Sequence, residues 1–292
     1  MRILLTNDDG IFSPGLAAIR HELETLGEVY VVAPAVEQSG VSQSLTFRTP
    51  LIVKDVFIDD QRWGWGVEGS PADCVKIGVN AICPQKPDLI VSGINWGQNC
   101  GTNILYSGTL GAAFDGGVFG IPSFALSVED TPNPHFARAA TIAKNLIVQI
   151  LAKIAENPSG FDVCGNPVAD IYNINMPTES LEVENPPIFI APMDTTPYGT
   201  QLESRMDTFG RRYYWFVPNP RPRRPECLTD MNVLRQNQIV VTPLHLDRTN
   251  HLRCEEMRTW NLQAETSYPQ ENAENSIPVP PLWYMRTQRA DT

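Results

Sequence analysis

Short apolar runs without a helical period alternate along this chain with stretches whose apolar residues recur every three or four positions. That alternation restricts the fold more than any other feature of the sequence. "RILLTN" is the first run, and Ser13-Pro14 then supplies a helix cap followed by a residue suited to a first turn. From Leu16 the positions Leu16, Ile19, Leu23 and Leu26 keep a helical period, Gly27 is expected as a left-handed stop, and "VYVVAP" reads as a second buried strand. This is a βαβ unit, whose strands pair in parallel.

The unit recurs. Ser70-Pro71-Ala72-Asp73 has the form of a capping box opening the helix "ADCVKIGVNAI", and "DLIVSG" follows as a strand. "SFALSV" precedes an amphipathic helix expected from about Phe136 to Ala155, and "DIYNINMP" and "NQIVVTPL" add strands. The expected class is α/β, a doubly wound and mostly parallel sheet with helices on both faces. "SLTFRTPLIVKDVFI" and "RWGWGVEG" are expected as antiparallel excursions. Residues 192–230, with "RRYYWFVPNPRPRRPE", read as a protruding arm. It is a surface hairpin, an oligomer contact favoured by Tyr, Trp and Arg, or a nucleic-acid stacking surface. The expected division is one domain over 1–246 and a polar, Pro-rich C-terminal tail over 247–292, partly disordered or laid over a partner.

A formal charge of −11 works against a long nucleic acid as partner, because polyanions are held by clustered Lys and Arg. No apolar segment approaches the roughly 20 residues needed to cross a bilayer, and no secretory apolar region follows Met1, so a cytoplasmic protein is expected. The six cysteines, at 74, 83, 100, 164, 227 and 254, lack CxxC spacing. They read as reduced, mostly structural thiols rather than a disulfide framework or a zinc site.

Chemistry is expected beyond the carboxyl ends of the parallel strands, where loops and helix N-termini face one crevice. Asp8 and Asp9 end the first apolar run, and the turning chain there lets both carboxylates reach one point. Ser39 follows the second strand and Asn95 follows "DLIVSG". Together they make an all-oxygen donor set suited to Mg²⁺ or Mn²⁺, one divalent cation per subunit. Taken singly, the acids also read as solvated loop residues, and Ser39 and Asn95 as turn formers. Ser107, Gly108 and Thr109 open a small-residue helix whose N-terminus can receive phosphate, or they simply cap it.

Several stretches together resemble the SurE family of metal-dependent nucleotidases, the survival proteins of stationary phase. They are "ILLTNDDG", "SGVSQSLT", "GSPADCVKIGVN", "PDLIVSGINWGQN", "LYSGTLGAAFDG", "NINMP" and "VVTPL", in the family's order over roughly residues 1 to 245. The resemblance implies a Rossmann-like core, metal binding by Asp8, Asp9, Ser39 and Asn95, and phosphate binding by Ser107, Gly108 and Thr109. It also implies hydrolysis of nucleoside 5'- and 3'-monophosphates, with homodimers or homotetramers built by exchanged C-terminal elements. The chain departs from the family at Glu37-Gln38, where Asn-Arg is usual, and at Trp96 and Gln98, where Arg and Pro are. Two cations are thereby missing, which bears on substrate preference. Trp96 and Asn99 are candidate substrate contacts, Trp96 by stacking on a base or else by packing at an interface.

The expected reaction is attack on phosphorus by a metal-activated water, with Asp8 and Asp9 as catalytic residues and Asp9 accepting the water's proton. Other readings are an exopolyphosphatase-like phosphatase and a non-catalytic nucleotide- or metal-binding oligomer. An aspartyl-phosphate enzyme is disfavoured because Asn7-Asp8-Asp9-Gly10 lacks D-x-D, and a dinucleotide oxidoreductase because the first turn lacks G-x-G-x-x-G.

Overall fold

A computed structural model describes residues 1–160, 168, 170–196, 201–217, 226–260 and 262. Cys164, the proline- and arginine-rich part of the arm and most of the tail lie outside the described residues. The chain divides into two compact units, Met1–Leu246 and Asp247–Thr292.

The first unit runs β1 (Arg2–Thr6), α1 (Pro14–Leu23), β2 (Glu28–Pro34), β3 (Val53–Ile58), β4 (Gln61–Val67), α2 (Pro71–Ile77), β5 (Leu89–Trp96), α3 (Gly108–Val118), β6 (Ser123–Val128) and α4 (Phe136–Glu156). It continues with β7 (Ile171–Met176), α5 (Thr178–Leu181), β8 (Ile188–Ile190), β9 (Gln201–Met206), β10 (Arg212–Val217), α6 (Asp230–Leu234) and β11 (Ile239–Leu244). In the second unit α7 (His251–Arg258) is capped by Asn250, whose side chain accepts from the Arg253 N–H.

Nine strands form one sheet in the order β3-β4-β2-β1-β5-β6-β7-β11-β8. From β4 to β7 all neighbours pair in parallel, with Leu4 opposite both Tyr30 and Ile90. β3 and β11 run antiparallel to β4 and β7 respectively. The sheet alternates its burial, as a pleat dictates. Ile3, Leu5, Val31 and Val91 pack with residues of α1 and α4 on one face, whereas Leu4, Val32 and Ile90 pack with Cys74 and Val75 of α2 on the other. Each of the Ile, Leu and Val side chains stabilises the fold by about 1.5–3 kcal/mol through burial.

The caps form as their residues require. Ser13 accepts from the Leu16 N–H, and Ser70 and Asp73 exchange side-chain-to-backbone bonds in a full capping box. Three expectations are corrected. Gly27 is not a left-handed helix stop, because α1 has already ended at Leu23; a Cβ at residue 27 would lie 2.0 Å from the Met1 carbonyl oxygen, so glycine is there for close approach. Of "SLTFRTPLIVKDVFI" only Val53–Ile58 is a strand, and "RWGWGV" pairs in parallel with β2 as well as antiparallel with β3. The helix after Ser70 keeps its regular winding only to Ile77, then widens over Gly78–Ile82, where the Cys83 N–H reaches back to the Gly78 carbonyl at 2.9 Å. In the arm β9 and β10 pair, among the described residues, only with each other, closed by Asp207, which accepts from the Phe209 and Arg211 N–H groups. Tyr213, Tyr214, Trp215 and Phe216 of this hairpin are exposed.

Candidate active site

The chain winds from β1 outward to β2, and later lays β5 against the other side of β1. The crevice between β1 and β5 is therefore the switch point of the sheet, the place where an open α/β sheet admits a ligand. Asn7, Asp8 and Asp9 leave the end of β1 into that crevice, and Asn95 stands near the end of β5 beside it. One extra residue in β5 re-aims this end: Ser92 pairs with Ala125 but Asn95 with Ser127, a bulge of the kind that turns side chains toward sites.

Two loops converge on Asp8. The Gln38 N–H donates to the Asp8 carbonyl at 2.8 Å, which brings residues 37–39 alongside. From the other side α3 aims its N-terminus at the side chain, and the Thr109 hydroxyl donates to Asp8 Oδ1 at 2.6 Å. Gly108 makes this approach possible: a Cβ there would stand 2.9 Å from the Asp8 Cβ and 3.1 Å from the Gln38 carbonyl oxygen. Asp9 Oδ2 accepts from the Trp96 backbone N–H at 3.2 Å. Asn7 braces the loop from beneath, donating to the Gly10 carbonyl and to Ser13 Oγ, the same hydroxyl that caps α1.

Electrostatically the pair is under tension. Burial pushes the Asp8 carboxyl up, more than the Thr109 bonds pull it down, and Glu37 adds repulsion. Burial, then the Asp8 charge, push Asp9 up to about 6 against the Trp96 N–H, with Glu37 again opposing ionisation. No Lys, Arg or His forms an ion pair with either carboxylate among the described residues. Asp9 commits Oδ2 to the Trp96 N–H and keeps Oδ1, Asp8 is held by the Thr109 hydroxyl at Oδ1 and by neighbouring backbone N–H groups, and Asn95 donates from Nδ2 to the Gly97 carbonyl, leaving its Oδ1. Uncompensated, partly free oxygens with no sulfur or imidazole among them fit a hard divalent cation. Among the described residues no group of three or more His, Cys, Asp and Glu forms an alternative centre.

The other candidates fall as follows. Ser39 is exposed and its hydroxyl donates to Glu37 Oε1 at 2.6 Å, so only its lone pairs remain for a ligand. Ser107 caps α3, accepting from the Leu110 N–H at 3.2 Å. Thr109 gives its hydroxyl proton to Asp8 and its backbone N–H serves the same carboxylate, so of the two it is the Gly108 amide that the first turn keeps for an anion. Asn99 is buried, and its amide donates to Thr109 Oγ1 and Ser127 Oγ, so it acts as a strut rather than an open substrate contact. Trp96 is half exposed and stands in the crevice wall.

Sequence reasoning passed over Asn173 and Asn175. Both donate to the Asn99 carbonyl, and Asn175 Oδ1 accepts the Asn99 N–H at 2.8 Å, tying the loop after β5 to β7. Their one signal was two asparagines in a strand otherwise apolar, "IYNINM".

Comparison with known proteins shows the family to which this fold belongs. The family model described as "Survival protein SurE" matches residues 3–200. A protein of Rhodopirellula baltica named 5'-nucleotidase SurE is 44% identical over 264 residues, covering 90% of this chain and 100% of the relative. One of Petrotoga mobilis with the same name is 38% identical over 261 residues, covering 89% and 99%. The crystal structure of the SurE protein from Aquifex aeolicus superposes with a TM-score of 0.70 at 35% identity, covering 88% of this chain and 98% of that one.

Proposed function

We propose a metal-dependent phosphomonoesterase acting on nucleoside 5'- and 3'-monophosphates as the function of this chain, which belongs to the SurE family. Nucleotidase chemistry follows from relatives named 5'-nucleotidase that match along nearly their whole length. The observation that carries the finer reading is the uncompensated carboxylate pair at the switch point, facing the N-terminus of α3.

Asp8, Asp9, Ser39 and Asn95 would hold Mg²⁺ or Mn²⁺, which supplies charge for phosphate oxygens and a more acidic water when bound. The Gly108 amide, at the positive end of α3, meets the equatorial charge that grows on phosphorus, while the Thr109 hydroxyl and amide hold Asp8. Thr109 fixes the rotamer of Asp8, and the Trp96 backbone fixes Asp9. Asp9, the less buried of the two, is the proton acceptor for the attacking water. The exposed aromatic residues of β10 support a homodimer or homotetramer, and the thiols of Cys74, Cys83, Cys227 and Cys254 suit a reducing cytoplasm.

The test is hydrolysis of a panel of nucleotides and p-nitrophenyl phosphate during titration with Mg²⁺ or Mn²⁺. Asp8→Ala and Asp9→Ala are expected to abolish turnover with the fold intact. Undiminished hydrolysis by Asp9→Ala removes that residue from the site; binding without phosphate release favours a non-catalytic module.

A further inference from the structure

Beside Asp9 lies a cavity of about 510 Å³, within the range of small-molecule sites. Its apolar wall is exposed to an unusual degree: Phe12 is 67% exposed, Val36 66% and Trp96 47%. Phe136 meets Trp96 edge-on at 6.3 Å, and the Trp96 indole N–H donates to the Thr131 carbonyl at 3.2 Å. The ring is thus held at both ends while about half of the residue stays exposed. The opposite property belongs to the rim. Glu37 and Asp130 line the cavity, Asp130 with no ion pair or hydrogen bond among the described residues, and no described lining residue is Lys, Arg or His.

An aromatic wall asks for a flat apolar group, and an acidic rim without cations asks for a neutral hydrogen-bond donor rather than further phosphate. The Trp96 backbone N–H also holds Asp9, so a group stacked on this ring is in register with the carboxylate pair. We propose that the cavity receives the nucleoside half of the ester, with the base against Trp96, and that Glu37 and Asp130 select bases carrying an exocyclic amino group. This deepens the phosphomonoesterase reading and rests on it. Stacking holds any base; the acids choose among bases, because an amino group donates to a carboxylate where a bare ring carbon offers nothing.

Two comparisons of kcat/KM test it. AMP against ribose 5-phosphate, which lacks the base, isolates stacking; Trp96→Ala is expected to lower that ratio about ten-fold, the scale of base–aromatic stacking. AMP against purine ribonucleoside 5'-monophosphate, which lacks only the amino group, isolates the rim. Asp130→Asn and Glu37→Gln are each expected to lower this ratio about three-fold or more, the loss of a charged acceptor. Asp130 is exposed, so its variant folds irrespective of the outcome.

A Trp96→Ala protein with both esters slowed alike, or rim variants with the amino preference intact, would overturn the proposal and leave the hydrolase standing. A wild-type protein that cleaves neither ester refutes the hydrolase. The cavity is then still tested by titrating metal-free protein with adenosine, where quenching of tryptophan fluorescence that Trp96→Phe abolishes is the expected result, and absence of quenching in the wild type overturns it.

Discussion

Replacing Asp9 with asparagine removes a charge from the buried pair while keeping its shape and the acceptor for the Trp96 N–H. The carboxyl titrates at about 6 instead of its ordinary 3.8, because burial and then Asp8 oppose ionisation. Two units at about 1.4 kcal/mol each bound the cost near 3 kcal/mol, and partial solvent access reduces the working figure to about 1–2 kcal/mol. The folded protein holds the Asp9 proton more tightly than the unfolded chain does. The cost is therefore absent below about pH 4, grows as pH rises toward 6, and is complete above it. Asp9→Asn is expected to raise the urea midpoint of chelator-treated protein at pH 8, to leave it unchanged near pH 4, and to abolish hydrolysis. Saturating Mn²⁺ should reverse the order, since the wild type gains about 2.7 kcal/mol at a hundred times Kd. A chelated variant no more stable than the wild type at pH 8 would refute an uncompensated pair.

Gly108→Ala drives a methyl group between Asp8 and the 37–39 loop, and should weaken Mn²⁺ binding at least ~10-fold by calorimetry; unchanged affinity would mean that Asp8 has room to spare. Asn175→Ala strips the partner from the Asn99 N–H and one of two donors from its carbonyl, which Asn173 still serves, and should cost about 1–3 kcal/mol in urea denaturation and lower kcat. Among the described cysteines, Cys227 and Cys254 are exposed and should react quickly with a thiol reagent in native protein. Cys74, held far up by burial, and Cys83, at about 11, should react only on unfolding; a fast third thiol from either would contradict their packing.

What the sequence disclosed, it disclosed through local chemistry. An apolar run ending in Asp8-Asp9 announces a strand end with a charged purpose, and Ser13-Pro14 and Ser70-Pro71 announce helix starts because caps depend on neighbours three residues away. The crevice itself could be read only as a class of place. Its position requires knowing that β5, not β2, closes the second side of β1, and strand order is a long-range property. The same limit hid the bond from Thr109 to Asp8, 101 residues apart, and the burial of Asn99, which in the sequence reads as a candidate substrate contact. It also hid the union of Phe12, Glu37, Asp130 and Phe136 around one cavity, since they come from three separate stretches. Gly27 misled for the converse reason: a glycine after a helix suggests a local conformation, while its real demand comes from the first residue of the chain.

The chain of bonds from Asn175 through Asn99 and Thr109 to Asp8 gives the two halves of the crevice different freedoms. One half takes its coordinates from the sheet interior, so drift there is penalised twice, in folding and in turnover. The other, with Phe12, Val36 and Asp130, is built of exposed side chains that stabilise little. Selection can retune which molecule this protein accepts by swapping those outer residues one at a time, without reopening the question of how the phosphoester is cut.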